Sequence, residues 1–228
     1  MLIPRSRTLA LLAVSLPLAT ILAPMSLSAG PALAQEWVGL INSGFGFTAN
    51  TSVESMIFYR GDMYAGTRND NEGCQVWCYN GTTWIQVASG GFGEAVNQAV
   101  STITVYASRL FVGTAASSGG CQVWSYDGLE WTREVGSGGA GTPTAPGFGD
   151  LANQTAFCMT VYGDDLYVGT RDSSGGRGCQ VWFYDGSGWN QAEGAGFGDS
   201  RNFAVSSMAA NGLDLYVGTN NQITGCEL

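Results

Sequence analysis

Histidine and lysine are both absent from the 228 residues, and all 9 basic residues are arginine. Without an imidazole there is no Ser-His-Asp or Cys-His catalysis and no histidine-bound zinc or copper. Without a lysine amine there is no Schiff base and no Walker-type phosphate loop. Positive charge is scarce against 18 Asp and Glu, leaving a net charge of -9 and a pI near 4.2. That balance excludes nucleic acid and anionic lipid as main partners, since both need a basic surface. What the chain does have is 34 glycines in a sequence that is 45% hydrophobic and 11% aromatic, enough for a packed core.

Residues 1–34 read as an export signal. Arg5 and Arg7 precede an apolar run from Leu9 to Ala23, and Ala32-Leu33-Ala34 is a cleavage signal that places the mature start at Gln35. Pro17 and Pro24 keep the run short of the ~20 residues a membrane span needs. No later stretch is long enough, so the mature chain is expected to have no span. The expected location is extracellular or at the cell surface, with the periplasm as the alternative.

One unit recurs through residues 35–228. Gly-Phe-Gly occurs at Phe45, Phe92, Phe148 and Phe197, at intervals of 47, 56 and 49 residues. Gly-Thr closes an apolar stretch at Thr67, Thr114, Thr170 and Thr219, with the same three intervals. Gly-Cys-Gln-Val-Trp begins at Gly73, Gly120 and Gly178, and starts again at Gly225. Each unit reads as four short strands, with Asn80-Gly81, Asp127-Gly128 and Asp185-Gly186 as hairpin turns between the third and fourth. The third strand, Cys179 to Tyr184, carries large apolar groups on both faces, so it is buried on both. A four-stranded antiparallel unit buried on both sides and repeated about every 50 residues predicts an all-β fold, a β-propeller.

The expected divisions are blade 1 at 44–90, blade 2 at 91–146, blade 3 at 147–195 and an incomplete blade 4 at 196–228. Residues 36–43 read as an orphan fourth strand, because Trp37 precedes Phe45 by the same gap that separates Trp84 from Phe92. The last third strand stops one residue before its expected Trp. This favours a chain that continues past Leu228 over a complete four-bladed ring.

The run Leu166-Tyr167-Val168-Gly169-Thr170, followed by Trp182-Phe183-Tyr184-Asp185 and Trp189, resembles a kelch-type repeat. Gly-Thr stands where that family has a glycine pair, and the Tyr-to-Trp gap is short. The hairpin Ser125 to Trp131 is similar to the Asp-box of sialidase-like propellers, one residue shorter. Both resemblances imply a propeller. Neither transfers an activity: the copper-oxidase relatives need histidine, and the arginines do not align to a sialidase cluster.

Several constellations remain as candidate sites. The variable loops between second and third strands place Arg68, Asp70, Glu72, Arg171, Asp172 and Arg177 on the same face as the Gly-Phe-Gly loops, the expected ligand face. Glu94, Asp150 and Asp199 each follow a Gly-Phe-Gly and precede an Asn by three residues. They read as turn caps, with calcium the alternative and no other cofactor implied. Cys74, Cys121, Cys179 and Cys226 share one repeat position, whereas Cys78 and Cys158 break the pattern and are the candidates for a disulfide, with each other or with a repeat Cys. Asn50, Asn80 and Asn153 begin N-glycosylation sequons. The first strands read Ser55-Met56, Thr102-Ile103, Cys158-Met159 and Ser207-Met208, with no carboxylate, which disfavours a glycoside hydrolase or lyase. The expected function is a non-catalytic binding or adhesion module for an extracellular protein or glycan. The alternatives are a propeller-type hydrolase or lyase, and a purely structural segment of a cell-surface protein.

Overall fold

The computed structural model describes residues 38–139 and 143–228. The expected export signal at residues 1–34, residues 36–37 of the expected orphan strand and part of the expected blade 2 insert therefore lie outside the described residues. The chain divides into two units, Met1–Asn42 and Ser43–Leu228. In the first unit, residues 38–42 carry no strand.

The second unit is the propeller portion. Blade 1 comprises β1 (Ser52–Tyr59), β2 (Asp62–Arg68), β3 (Val76–Tyr79) and β4 (Trp84–Ala88). Blade 2 comprises β5 (Asn97–Tyr106), β6 (Arg109–Ala116), β7 (Val123–Tyr126) and β8 (Trp131–Val135). Blade 3 comprises β9 (Asn153–Tyr162), β10 (Asp165–Asp172), β11 (Val181–Tyr184) and β12 (Trp189–Glu193). A fourth unit has β13 (Ala204–Ala210) and β14 (Leu215–Asn220). All pairings are antiparallel and sequential within a blade. Among the described strands, none pairs the fourth unit back to blade 1.

Single bridges join each blade to the next at one repeat position: Arg68 to Ala99, Ala115 to Thr155, and Arg171 to Ala204. The core lies in layers between blades. Val76 and Val112 pack with Val100 and Leu110 in one layer, and Val123 and Phe111 with Val168 and Leu166 in the next. Burying each such side chain contributes about 1.5–3 kcal/mol. The Gly of the first three Gly-Thr pairs, Gly66, Gly113 and Gly169, lets these layers close. A Cβ on Gly113 would lie 2.7 Å from Ala156 Cβ and 2.8 Å from Thr102 Cγ2. On the opposite face, tyrosine hydroxyls latch one blade to the next. Tyr59 donates to Ser108 O at 2.9 Å, Tyr106 to Asp164 O at 2.8 Å, and Tyr162 to Leu213 O at 2.6 Å.

The third strands start later than the sequence suggests. Cys179 was expected inside one, yet β11 begins at Val181. Its backbone is used elsewhere: Cys179 N donates to Asn202 O at 2.7 Å, and Cys179 O accepts from Gly196 N at 3.0 Å. The start of each third strand is thus clamped to the Gly-Phe-Gly turn of the following unit. Phe92 of that turn has φ +62°, in the left-handed region, and the preceding Gly91 has φ +61°. Glycine is needed at 91 because a Cβ there would collide with Glu94 O.

Candidate functional site

The repeated polar residues form one buried network per blade. In blade 2, Thr114 Oγ1 accepts from Gln122 N at 2.9 Å and lies 3.2 Å from Asn97 Oδ1. The Asn97 amide donates to Gly91 O at 2.9 Å and to Gln122 Oε1 at 2.8 Å, and Trp124 Nε1 donates to the same Oε1 at 2.9 Å. Phe92 stacks on Trp124 with ring centroids 5.0 Å apart and meets Trp131 edge-on at 5.0 Å. The same arrangement recurs around Asn50 and Asn153. These motifs hold the turn against the blade, and their Trp residues are core rather than sugar-stacking platforms.

Of the acidic residues after each Gly-Phe-Gly, Asp150 and Asp199 accept from a backbone N–H of their own turn, whereas the Glu94 carboxylate meets only side chains. Glu94 meets Arg133 at 2.7 Å and accepts from Gln122 Nε2 at 2.8 Å. Asp150 accepts from Ala152 N at 3.0 Å and pairs with Arg177 at 2.7 Å. Asp199 accepts from Arg201 N at 3.0 Å and pairs with Arg201 Nε at 2.8 Å, which holds its carboxyl down at about 2. Among the described residues, no group of three or more His, Cys, Asp or Glu is gathered to hold a metal ion.

Cys78 and Cys158, expected to bridge with each other or with a repeat Cys, are both free thiols, as are the four repeat cysteines. Cys78 sits in the layer between blades 1 and 2 with Tyr64, its Sγ 3.7 Å from Asp62 Oδ2. Cys158 packs beside Val205 and donates to its carbonyl at 3.4 Å. Burial pushes the Cys74, Cys121 and Cys158 thiols up to about 12, and Cys179 to about 11. They are inert packing groups. Of the sequons, Asn50 and Asn153 are buried in the networks, while Asn80 sits on an exposed hairpin tip.

The loop-face candidates separate into those that organise their own loops and those that reach a common place. Asp172 is buried, and its carboxylate accepts from the backbone of Ser174, Gly176, Arg177 and Gly178. Burial pushes its pKa up, but these bonds and the Ser174 hydroxyl outweigh burial and hold it below the usual range. Arg68 is pinned between Glu54 at 3.2 Å and Asp70 at 3.0 Å. Glu54 is a first-strand carboxylate that the reading of Ser55-Met56 passed over: β1 begins at Ser52, with a bulge between Val53 and Ser55. Glu72 caps nothing with its carboxylate among the described residues; its backbone N–H donates to Asn69 Oδ1 at 2.9 Å.

Arg68 and Arg171 do come together, at a pocket of about 250 Å³ on this face. Arg68 comes from blade 1 and Arg171 and Ser173 from blade 3. Gln98 and Ser117 line it from blade 2, with Gln154 and Thr155 from the first strand of blade 3. The pocket opens where the repeat is broken. The interblade bridge position carries Arg68, Ala115 and Arg171 in blades 1 to 3 and Asn220 in the fourth unit. The next position is Asn69, Ala116, Asp172 and Asn221. Asn69 and Asn221 tie their loops to the neighbouring Asn at 3.0 Å, and Asp172 cages its own loop. Ala115 and Ala116 fill none of this space. Aligning the repeats position by position would have found this gap; Gln98, Gln154 and Thr155 carry no motif and were missed.

Arg171 is exposed and lies over the Phe203 ring at 5.8 Å. Among the described residues it makes no ion pair, whereas Arg68 makes two and Arg133, Arg177 and Arg201 make one each. A second pocket, of about 290 Å³ beside Phe197 and Leu215, lies along β14. Phe197 is 39% exposed there, and in blades 1 to 3 a third-strand Trp stacks on the equivalent Phe. That pocket is therefore a packing position of the repeat.

No family model and no curated protein matches the chain. Similar solved structures include the SapL1 lectin in complex with alpha methyl fucoside, at 17% identity and a TM-score of 0.49, covering 74% of this chain and 56% of that one. A fucose lectin from Kordia zhangzhouensis in complex with methyl-fucoside is similar at 14% identity and a TM-score of 0.39, covering 61% of this chain and 98% of that one. The chain thus spans little more than half the length of the first of these lectins. Among the described residues no helix is long and apolar enough to cross a membrane.

Proposed function

We propose that this chain is an exported, non-catalytic propeller module that binds a glycan in the polar pocket over blade 2. The observation that carries the reading is the pocket itself. It is the one loop-face position where the repeated Arg is replaced by Ala, and amide, hydroxyl and guanidinium groups from three blades converge on the space left open. Convergent polar groups on a rigid scaffold are what orient a small polar ligand. The volume lies just below the ~300 Å³ at which drug-sized sites begin, which suits one sugar ring. A protein partner would need about 800 Å² of surface on each side, far more than this pocket offers. The nearby carboxylates, Glu54 and Asp70, are both held by Arg68, and among the described residues no Asp or Glu lines the pocket. That supports binding without catalysis.

The test restores the repeat. Ala115→Arg puts back the side chain that blades 1 and 3 carry and fills the gap. Calorimetry against a glycoside panel, including alpha methyl fucoside, is expected to show binding to the parent chain and none to Ala115→Arg at an unchanged melting temperature. Binding that survives the substitution refutes the pocket.

A further inference from the structure

We infer that the ligand carries an anionic group, a carboxylate or a sulfate on the sugar, and that Arg171 is the residue that selects it. This rests on the glycan reading above and adds the charge. The chain has twice as many acidic as basic residues, and its other loop-face arginines are neutralised within the fold. Arg171 is the exception. Its nearest acidic neighbour in sequence, Asp172, is buried and turned into its own loop, where four backbone N–H groups occupy it. Phe203 braces the Arg171 guanidinium by a cation–π contact, fixing the head group while leaving its N–H donors open to the pocket.

The rest of the lining suits the same chemistry. Gln154 and Thr155 offer an amide and a hydroxyl beside Arg171, and neither side chain is hydrogen-bonded within the described residues. Thr155 is only 9% exposed. An anion seated there receives a charge-assisted pair of N–H donors with neutral donors beside them, a fork that matches two oxygens of a carboxylate or of a sulfate. Arg68 on the far blade adds no positive potential, because Glu54 and Asp70 together outweigh its single charge, so Arg171 alone carries the selection. A neutral sugar would use the amide and hydroxyls and leave the guanidinium in water.

The experiment compares three matched monosaccharides by calorimetry on the full chain: methyl α-galactoside, its 6-sulfate, and methyl α-galacturonide. The sulfate or the uronide is expected to bind at least tenfold more tightly than the neutral glycoside, from one charge-assisted contact. Arg171→Gln should bring anionic and neutral ligands within about threefold of each other, and Arg171→Lys should restore part of the preference. Whichever anion binds more tightly identifies the source of the charge. Equal binding of all three, or a preference that survives Arg171→Gln, overturns the inference and leaves the glycan reading standing. If none of the three binds but a neutral glycoside of the wider panel does, the charge inference falls alone. If no glycoside of either panel binds, both fall.

Discussion

Replacing Thr114 by Val removes one hydroxyl and keeps the shape, so it isolates the buried network. Thr114 and Asn97 are 0% exposed, and Gln122 is 3% exposed. Without the hydroxyl, Gln122 N loses its acceptor at 2.9 Å and Asn97 Oδ1 loses its donor at 3.2 Å. Each orphaned buried group costs about 1–3 kcal/mol. After the small gain from a buried methyl, Thr114→Val should destabilise by about 2–4 kcal/mol. At about 2–4 °C per kcal/mol for a chain of this size, that lowers the melting temperature by roughly 5–15 °C. Blade 1 supplies the internal comparison. There Asn69 Nδ2 still donates to Asn50 Oδ1 at 3.0 Å, so Thr67→Val orphans only Gln75 N. Its cost should be smaller by about 1 kcal/mol. Thr170→Val should match Thr114→Val, because Asp172 gives Asn153 no second donor. Urea unfolding of the three variants reads the order. A cost below about 0.5 kcal/mol for Thr114→Val, or equal costs at positions 67 and 114, refutes the network as the source of stability.

Three other outcomes follow from the same structure. Gly113→Ala pushes a methyl against Ala156 and Thr102 of the interblade layer and should cost about 1–3 kcal/mol in urea unfolding. A thiol reagent at pH 8 should label the exposed Cys226 rapidly in the native protein and the other five cysteines only on unfolding, since four of them are held as thiols by burial and Cys78 is also buried and raised. Asp172 has a depressed folded pKa, so its contribution is present above the ordinary carboxylate range and is lost as pH falls through the folded value. Protection of the amides of residues 173–178, taken relative to their intrinsic exchange rates, should fall on acidification below the ordinary carboxylate range, and Asp172→Asn should show the reduced protection already at pH 7.

The blade pattern was legible because its markers are geometric. Asn80-Gly81 and Asp127-Gly128 supply hairpin turns, and Gly113 and Gly169 sit where neighbouring blades touch. The role of Asn97, Gln122 and Thr114 was not legible. A repeated polar residue reads as a turn cap until its partners, 17 and 25 residues away, are brought to it by the fold. The disulfide expectation failed for a related reason: leaving the repeat pattern does not make two cysteines neighbours, and Cys78 and Cys158 belong to different interblade layers. Arg68 and Arg171 were named from loop variability alone. What joins them is the pair of alanines at 115 and 116, a local absence that only a repeat-by-repeat comparison exposes.

The measurement that bears most directly on this account is the position of a bound glycoside, read from amide shift changes on titration of the isotope-labelled chain. The expected changes centre on Ala115 to Ser117, Gln154, Thr155 and Arg171, and disappear in Ala115→Arg. Changes centred instead on Phe197 and Leu215, or spread evenly over equivalent positions of all the blades, would contradict a single site at the break in the repeat.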